Sequence, residues 1–195
     1  MVAAVLVVDM QNGFCRPDGS VARYVGALPD MDAVVAEQVS LLESARAAGL
    51  PVVYTRHTWR ADLLDCPPKL REPFPPGVSP MAPSSWDVRI LDELTPAEND
   101  PVIDKNRFDA FLYTDLEVVL RALGVRQLLV AGVMTNFCVE STVRTASQLD
   151  YEVYVAADCT SAPPERHGPA LDAMGALFAT VGPWKEGLAA FADSR

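Results

Sequence analysis

The sequence predicts an α/β fold, a single-domain three-layer α/β/α sandwich with a mainly parallel, Rossmann-like sheet. Apolar runs typical of strands alternate with segments of helical spacing, and this alternation indicates a parallel sheet with helices on both faces. Half of the 195 residues are hydrophobic, which suffices for one well-buried core but hardly for two. We therefore expect one domain over residues 1–195.

The predicted elements follow in chain order. Residues 3–8 form a continuous apolar run, as expected of a strand covered on both faces. Residues 30–48 have helical spacing, and Gly49 and Pro51 end that helix. A capping box, Thr114-x-x-Glu117, predicts the start of another helix that ends near Gly124. The remaining predicted strands are 51–55, 101–104, 127–131, 152–156 and 179–181, and the remaining predicted helices are 138–149, 165–179 and 184–191.

Residues 58–100 interrupt this pattern. Seven prolines lie between Pro67 and Pro83, and the segment has little periodicity. It therefore predicts a loop excursion. A loop this long inside a compact domain is usually functional or disordered, so a lid over a pocket and a plain surface insertion both remain open.

Charge excludes several classes of partner. The formal net charge is −10 and no run of Lys or Arg occurs, so we expect neither a nucleic acid nor a membrane surface as partner. The apolar N-terminal run lacks a preceding basic segment and is followed at once by Asp9, which favours a buried strand over a signal peptide. We therefore expect a cytoplasmic protein that acts on a small molecule, with its four cysteines reduced.

Cys138 is the first candidate for chemistry. It lies where the 127–131 strand passes through Gly132 into a helix, and the unpaired N–H groups of a helix N-terminus favour a thiolate. The alternative is that Cys138 is only a small buried hydrophobic residue. Asp9 and Lys105 also follow predicted strands, and the carboxyl ends of parallel strands form one crevice. Together the three side chains would supply a nucleophile, a base and a cation, although Asp9 alone could cap a turn and Lys105 alone could be a solvated charge.

These three segments resemble a known family. Asp9 in Val-Val-Asp-Met-Gln-Asn, Lys105 in Asp-Lys-Asn-Arg-Phe and Cys138 in Gly-Val-Met-Thr-Asn-Phe-Cys-Val are similar to the cysteine-hydrolase branch of the isochorismatase superfamily. That branch includes nicotinamidases, N-carbamoylsarcosine amidohydrolases, and ureidoacrylate and biuret hydrolases. The similarity extends over nearly the whole chain.

The resemblance implies a reaction and a role for each residue. Cys138 would attack the carbonyl of a small amide, carbamoyl or ureide compound and form a thioester, with Asp9 as proton acceptor and Lys105 as its electrostatic partner. The resemblance also implies a cis peptide between Val133 and Met134, and an oxyanion hole formed by the N–H groups of Met134 and Cys138. A homodimer or homotetramer is implied as well.

The chain departs from nicotinamidases after the second strand. Those enzymes carry several histidines there that form a metal site, whereas residues 54–62 of this chain contain a single histidine, His57. A lone histidine is a poor metal site, so we expect no metal and no cofactor. The Thr55–Leu63 segment and Ser85-Trp86-Asp87 are more similar to biuret and ureidoacrylate hydrolases. The role of His57 stays open.

Residues beside the three candidates predict a substrate pocket. The aromatic members could enclose a flat amide or belong to the core, the arginines could bind a carboxylate or pair with acids such as Asp104, and the glutamine could bind a ureide or form a turn. The predicted pocket residues are Gln11, Phe14, Arg56, Arg107, Phe108, Phe111 and Phe137.

Two other functions remain as alternatives to amide hydrolysis. One is the vinyl-ether hydrolysis of isochorismatases, which needs the acid/base aspartate but no covalent intermediate. The other is a catalytically idle binding or assembly module. A dinucleotide-binding protein is excluded, because the turn after the first strand lacks the Gly-x-Gly-x-x-Gly pattern and Asp9 would repel a phosphate. Asp158, after the 152–156 strand, is interpreted as structural.

Overall fold

The computed structural model describes residues 2–75 and 78–192. Its six strands form one sheet in the order β3-β2-β1-β4-β5-β6, and every strand pair is parallel. The predicted α/β fold with a parallel sheet is confirmed. The strands are β1 Val2–Val8, β2 Val52–His57, β3 Val102–Lys105, β4 Val125–Val133, β5 Glu152–Ser161 and β6 Thr180–Gly182.

Helices connect the strands and cover both faces. The α-helices are α1 Asn12–Cys15, α2 Ala22–Val25, α3 Met31–Ala47, α4 Pro68–Arg71, α5 Leu116–Ala122, α6 Glu140–Gln148, α7 Pro164–Leu177 and α8 Trp184–Ala192. A 3₁₀ turn spans Asp92–Leu94 and a π-helix spans Thr135–Val139. Within the described residues, no helix has both the length and the apolarity that crossing a membrane requires.

The sheet separates two hydrophobic clusters. Alternate residues of a strand face opposite sides, so Val5 joins one cluster with Leu41 of α3, whereas Leu6 joins the other with Val143 of α6. All four side chains are fully buried. Because β1 is covered on both faces, its run of apolar residues carries no polar interruption before Asp9.

The capping box before α5 forms only in part. Thr114 Oγ1 accepts a hydrogen bond from the backbone N–H of Leu116 at 3.2 Å, as a cap should. Glu117 does not return to the cap, because its carboxylate accepts a 2.8 Å bond from Arg121 one turn later. The N-cap position is Asp115 rather than Thr114, and α5 begins at Leu116.

The 58–100 excursion returns along the turn that follows β1. Gln11 forms an isolated antiparallel bridge with Ile90, the N–H of Gly13 donates to Asp87 O, and the N–H of Leu91 donates to Met10 O, both at 2.9 Å. These long-range bonds tie the excursion to the carboxyl edge of the sheet. A lid role for it stays a prediction.

Candidate active site

Asp9, Lys105 and Cys138 converge at the carboxyl edge of the sheet. Asp9 follows β1 with a φ of 51°, a left-handed conformation that turns the chain away from the strand. Lys105 ends β3, and its Nζ lies 2.6 Å from Asp9 Oδ2, with both side chains fully buried. The Sγ of Cys138, a carboxylate oxygen of Asp9 and a ring nitrogen of His57 lie within 4.8 Å of one another. The three residues singled out in the sequence thus meet at one place.

The segment that carries Cys138 begins with a close approach between two strands. Gly132 has a φ of 121°, and a Cβ there would lie 2.0 Å from Val8 O. The Val133–Met134 peptide bond that follows is cis. The α-helix does not begin at residue 138 as predicted, because Cys138 lies in the π-helix and α6 begins only at Glu140. Such π-helical turns occur frequently at functional sites.

Thr55 of β2 holds the Asp9 carboxylate. Its hydroxyl donates to Asp9 Oδ1 at 2.6 Å and accepts from the Asp9 backbone N–H at 3.2 Å. With the ion pair to Lys105 of β3 on Oδ2, each carboxylate oxygen has a partner from a different strand. Sequence reasoning missed Thr55. The available signal was that Thr55 and His57 occupy alternate positions at the carboxyl end of β2, so that both side chains lie on the face of the strand opposite to Arg56.

Burial and charge set the protonation states. Burial alone would lower the pKa of Lys105, but attraction to Asp9 and to Cys138 outweighs it and raises that pKa above the ordinary value. Burial raises the pKa of the Cys138 thiol, and the nearby Lys105 ammonium opposes this only in part. The direction of this pKa shift favours the thiol, because Cys138 is 4% exposed and Lys105 is already paired with Asp9. Burial thus acts against the thiolate that a helix N-terminus favours.

His57 adjoins the ion pair. Its Nδ1 lies 3.3 Å from Lys105 Nζ. Burial, reinforced by the Lys105 charge, lowers the pKa of His57 to about 3, so the ring is neutral at pH 7. Phe14 and Trp59 pack against it edge-on, with ring centroids 6.0 and 4.6 Å from that of the imidazole.

The predicted aromatic pocket residues divide into two groups. Phe14 contacts His57, and Phe108 stacks on Phe137, the residue before Cys138, at 5.2 Å between centroids. The prediction that Phe111 lines the pocket is wrong. Its ring lies against Tyr151, which precedes β5 and therefore lies at the opposite end of the parallel sheet from Cys138. The loop after β3 descends along α6, where Ala110 N–H donates to Thr142 Oγ1, and carries Phe111 away.

Gln11 forms bonds that tie its own turn to other segments. Its Nε2 donates to His57 O at 2.9 Å and to Val88 O at 3.0 Å, while Oε1 accepts from the His57 N–H at 2.7 Å. This arrangement matches the turn role that the sequence left open. The Gln11 amide therefore braces β2 and the returning excursion against the end of β1.

The two predicted arginines also bind within the chain. Arg56 forms a two-pronged ion pair with Asp104, with N to O distances of 2.6 and 2.8 Å, which was the alternative to binding a substrate carboxylate. Arg107 donates to the backbone oxygens of Asp65 and Asn106 at 2.7 and 2.8 Å. Both side chains are held by protein groups, so a substrate role for either stays a prediction.

Asp9, His57 and Cys138 are also a conceivable set of metal ligands, since their donor atoms lie close together. Lys105 opposes this, because its ammonium lies on Asp9 Oδ2 and beside His57 Nδ1. A divalent cation would have to displace that positive charge. The expected absence of a metal stays a prediction. Asp158 accepts a 2.9 Å bond from the backbone N–H of Trp184, in keeping with a structural role.

The chain is similar to known hydrolases over most of its length. Residues 3–186 match the model of the isochorismatase domain. A ureidoacrylate amidohydrolase RutB of Agrobacterium fabrum is 33% identical, over 80% of this chain and 75% of that protein. A cysteine hydrolase structure from Pseudomonas syringae is 31% identical with a TM-score of 0.84, covering 94% of this chain and 89% of that one. The N-carbamoylsarcosine amidase structure from Thermoplasma acidophilum is 26% identical with a TM-score of 0.78, covering 94% and 97%. Fold, domain match and sequence identity agree that the chain belongs to the isochorismatase family of hydrolases.

Proposed function

We propose that this protein is a cysteine-dependent amidohydrolase that cleaves the C–N bond of a small amide, carbamoyl or ureide compound through a thioester. The observation that carries the proposal is the buried Asp9–Lys105 ion pair, 2.6 Å long, with the Cys138 thiol beside it. A thiol next to a carboxylate can lose its proton as it attacks, without a permanent thiolate. The amidohydrolase and amidase relatives support the amide class of substrate.

The first half-reaction forms the thioester. Cys138 Sγ attacks the substrate carbonyl carbon while its proton passes to the Asp9 carboxylate, and the carbonyl oxygen becomes an oxyanion. The backbone N–H groups of Met134 and Cys138 would stabilise that oxyanion, with about 3 kcal/mol per donor. When the C–N bond breaks, the amine leaves with the proton from Asp9. Lys105 remains an ammonium throughout and stabilises the ionised Asp9.

The second half-reaction uses water. Asp9 takes a proton from water as the hydroxyl oxygen attacks the thioester carbon. The C–S bond then breaks, Cys138 recovers its proton from Asp9, and the acid leaves. His57 is a poor general base for either step, since its pKa of about 3 gives it little affinity for a proton at pH 7.

The two alternative functions make less use of this arrangement. Vinyl-ether hydrolysis would employ Asp9 but leave the buried Cys138 thiol without a part in the chemistry. A binding or assembly module would need none of the three, and burying an ion pair without a use carries a desolvation cost. The site therefore favours the covalent route.

The test is ammonia release from a panel of nicotinamide, biuret, ureidoacrylate, N-carbamoyl amino acids, maleamate and aryl amides. Cys138→Ala should reduce release to the uncatalysed level. Cys159→Ala is the matched control, because it removes another fully buried thiol from β5 and should keep most of the activity. Acid-quenched wild-type protein should carry the acyl group on Cys138 by mass spectrometry.

Near-normal release by Cys138→Ala would overturn the covalent mechanism. If folded wild type releases nothing from the whole panel, the amide class is wrong, and cleavage of isochorismate would then support the vinyl-ether alternative.

A further inference from the structure

His57 contains a buried polar atom that the mechanism does not use. The residue is 2% exposed, and its Nε2 has no hydrogen-bond partner among residues 2–75 and 78–192. Most buried polar side-chain atoms in folded proteins have a partner, and leaving one without a partner costs stability. This unpaired nitrogen differs from other buried unpaired atoms, such as Gln127 Oε1 and Tyr151 Oη, because its ring lies beside the candidate catalytic residues, where a bound molecule could supply the partner.

The surroundings of Lys105 determine which nitrogen of His57 carries the proton. The ammonium has three N–H donors and no acceptor. It forms an ion pair with Asp9 Oδ2 at 2.6 Å, donates to Arg107 O at 2.9 Å and also contacts Cys138. His57 Nδ1 lies 3.3 Å from the same ammonium nitrogen. An imidazole nitrogen that accepts from an ammonium cannot itself bear a proton. The neutral ring must then carry its proton on Nε2.

The Nε2–H group lies close to the reacting sulfur. One of the two ring nitrogens of His57 lies within 4.8 Å of the Cys138 sulfur, so both edges of the ring lie near an acyl group that is bound to that sulfur. Phe14 and Trp59 pack edge-on against the imidazole and hold its plane. Lys105 fixes one edge of the ring, so the opposite edge is presented as a rigid donor.

We propose that the Nε2–H of His57 binds an oxygen atom of the substrate other than the scissile carbonyl oxygen. The inference rests on the proposed amidohydrolase function. It restricts the substrate to amides that carry a second acceptor oxygen close to the scissile bond, as in a ureide carbonyl or a nearby carboxylate. A neutral N–H can donate to the oxygen of either group, and a compound without that oxygen would leave the buried N–H unpaired.

The first arm of the test measures the tautomer in the free protein. The chain contains two histidines, His57 and His167, so ¹⁵N NMR of the His167→Gln variant isolates the His57 ring. The expected signal is a protonated Nε2 and an unprotonated Nδ1 from pH 5 to pH 8. A protonated Nδ1, or a doubly protonated ring in that range, would overturn the assignment.

The second arm separates the two edges of the ring by substitution. In His57→Gln the amide nitrogen can reach the Nε2 position, whereas in His57→Asn the shorter amide reaches only the Nδ1 position beside Lys105. For biuret and ureidoacrylate, His57→Asn should lower kcat/KM about 10- to 100-fold, and His57→Gln should recover most of it. For an aryl amide without a second oxygen, the two variants should differ little.

The outcomes distinguish this inference from the proposed function. Cys138-dependent cleavage with equal kcat/KM in wild type, His57→Asn and His57→Gln would refute the role of His57 and leave the amidohydrolase standing. Absence of any amide cleavage by wild type would refute both. Urea denaturation of each variant shows whether a loss of activity reflects unfolding rather than a lost hydrogen bond.

Discussion

Asp9 and Lys105 show what a buried ion pair does at a catalytic edge. Removing two charges from water is expensive, and well-packed apolar residues often stabilise a fold as well or better. Stability alone therefore gives little reason for this ion pair to be buried. Its value lies beside Cys138, where a carboxylate paired with an ammonium can accept a proton during attack.

Replacing Asp9 by Asn tests this at the residue scale. Asp9→Asn keeps the shape but leaves the Lys105 ammonium buried without its anion, so we expect a loss of about 3–5 kcal/mol in the free energy of unfolding. Loss of the proton acceptor should also lower kcat by about 10²- to 10⁴-fold. Urea denaturation and steady-state kinetics measure the two effects.

Asp104→Asn is the matched control, because Asp104 forms its ion pair with Arg56 on the surface. Exposed pairs contribute about 0–1 kcal/mol, so this variant should resemble wild type in stability and in kcat. If Asp9→Asn and Asp104→Asn behaved alike, Asp9 would have no special part in the reaction.

His57 makes stability depend on pH. Burial lowers its pKa from 6.5 to about 3, so between these values the unfolded chain binds a proton that the folded chain does not. Stability therefore rises with pH in this window and is lost as the pH falls from about 6.5 towards 3. The slope from this one group approaches 1.4 kcal/mol per pH unit.

The measurement is the free energy of unfolding of wild type and His57→Gln at several pH values from 4 to 8. Because carboxylates contribute to both proteins, the difference between the two curves isolates His57. We expect that difference to grow in favour of the variant as the pH falls. Parallel curves would show that His57 titrates alike in the folded and unfolded chains.

At the scale of elements, the site depends on how closely β4 passes β1. A Cβ on Gly132 would meet Val8 O at 2.0 Å, within the β-ladder itself. Gly132→Ala must therefore separate the strands just before the Cys138 segment. We expect a loss of more than about 3 kcal/mol in stability and of most activity, measured by urea denaturation and ammonia release.

Gly49→Ala separates this clash from simple backbone strain. Gly49 also has a positive φ, of 69°, but nothing lies within 4 Å of its added Cβ. Its substitution should cost about 1–2 kcal/mol and leave kcat unchanged. A similar small loss in Gly132→Ala would mean that the contact between β1 and β4 is not what limits this position.

The elements also show how far sequence reasoning reaches. Asp9 and Cys138 follow apolar strands and Lys105 ends a third strand. Because parallel strands end at one edge, the meeting of these residues can be predicted from local pattern and fold class. Thr55 and Gln11 were harder to place. Their bonds join residues 46 positions apart or more, and no local periodicity encodes such pairings.

Phe111 shows the converse error, in which closeness in sequence predicted a pocket position that the residue does not occupy. It lies close to Lys105 in sequence, which made it a pocket candidate, yet the loop after β3 turns down along α6 and places it on Tyr151. Loop direction depends on long-range bonds such as Ala110 to Thr142. Proximity in sequence predicts the environment of a residue within a strand far better than within a loop.

The whole molecule carries 26 acidic and 16 basic residues, a net charge of −10. Such a surface attracts divalent cations without any specific site, so metal that copurifies with the protein says little about its reaction. At the candidate site itself the cation beside Asp9 is the Lys105 ammonium. The surface charge thus predicts that metal ions copurify with the protein. The charge at the site predicts that turnover does not depend on them.

Dialysis against a chelator tests the second expectation. Turnover of the best amide substrate should survive removal of metal to below one tenth of an equivalent per chain, verified by elemental analysis, because the proposed steps move only protons and the acyl group among Asp9, Cys138 and water. Added Zn²⁺ should inhibit rather than activate, since it would compete with Lys105 for Asp9 and bind the Cys138 sulfur. Activity that disappears on chelation and returns with one particular metal would contradict this mechanism, and would assign the close grouping of Asp9, His57 and Cys138 to a metal centre instead.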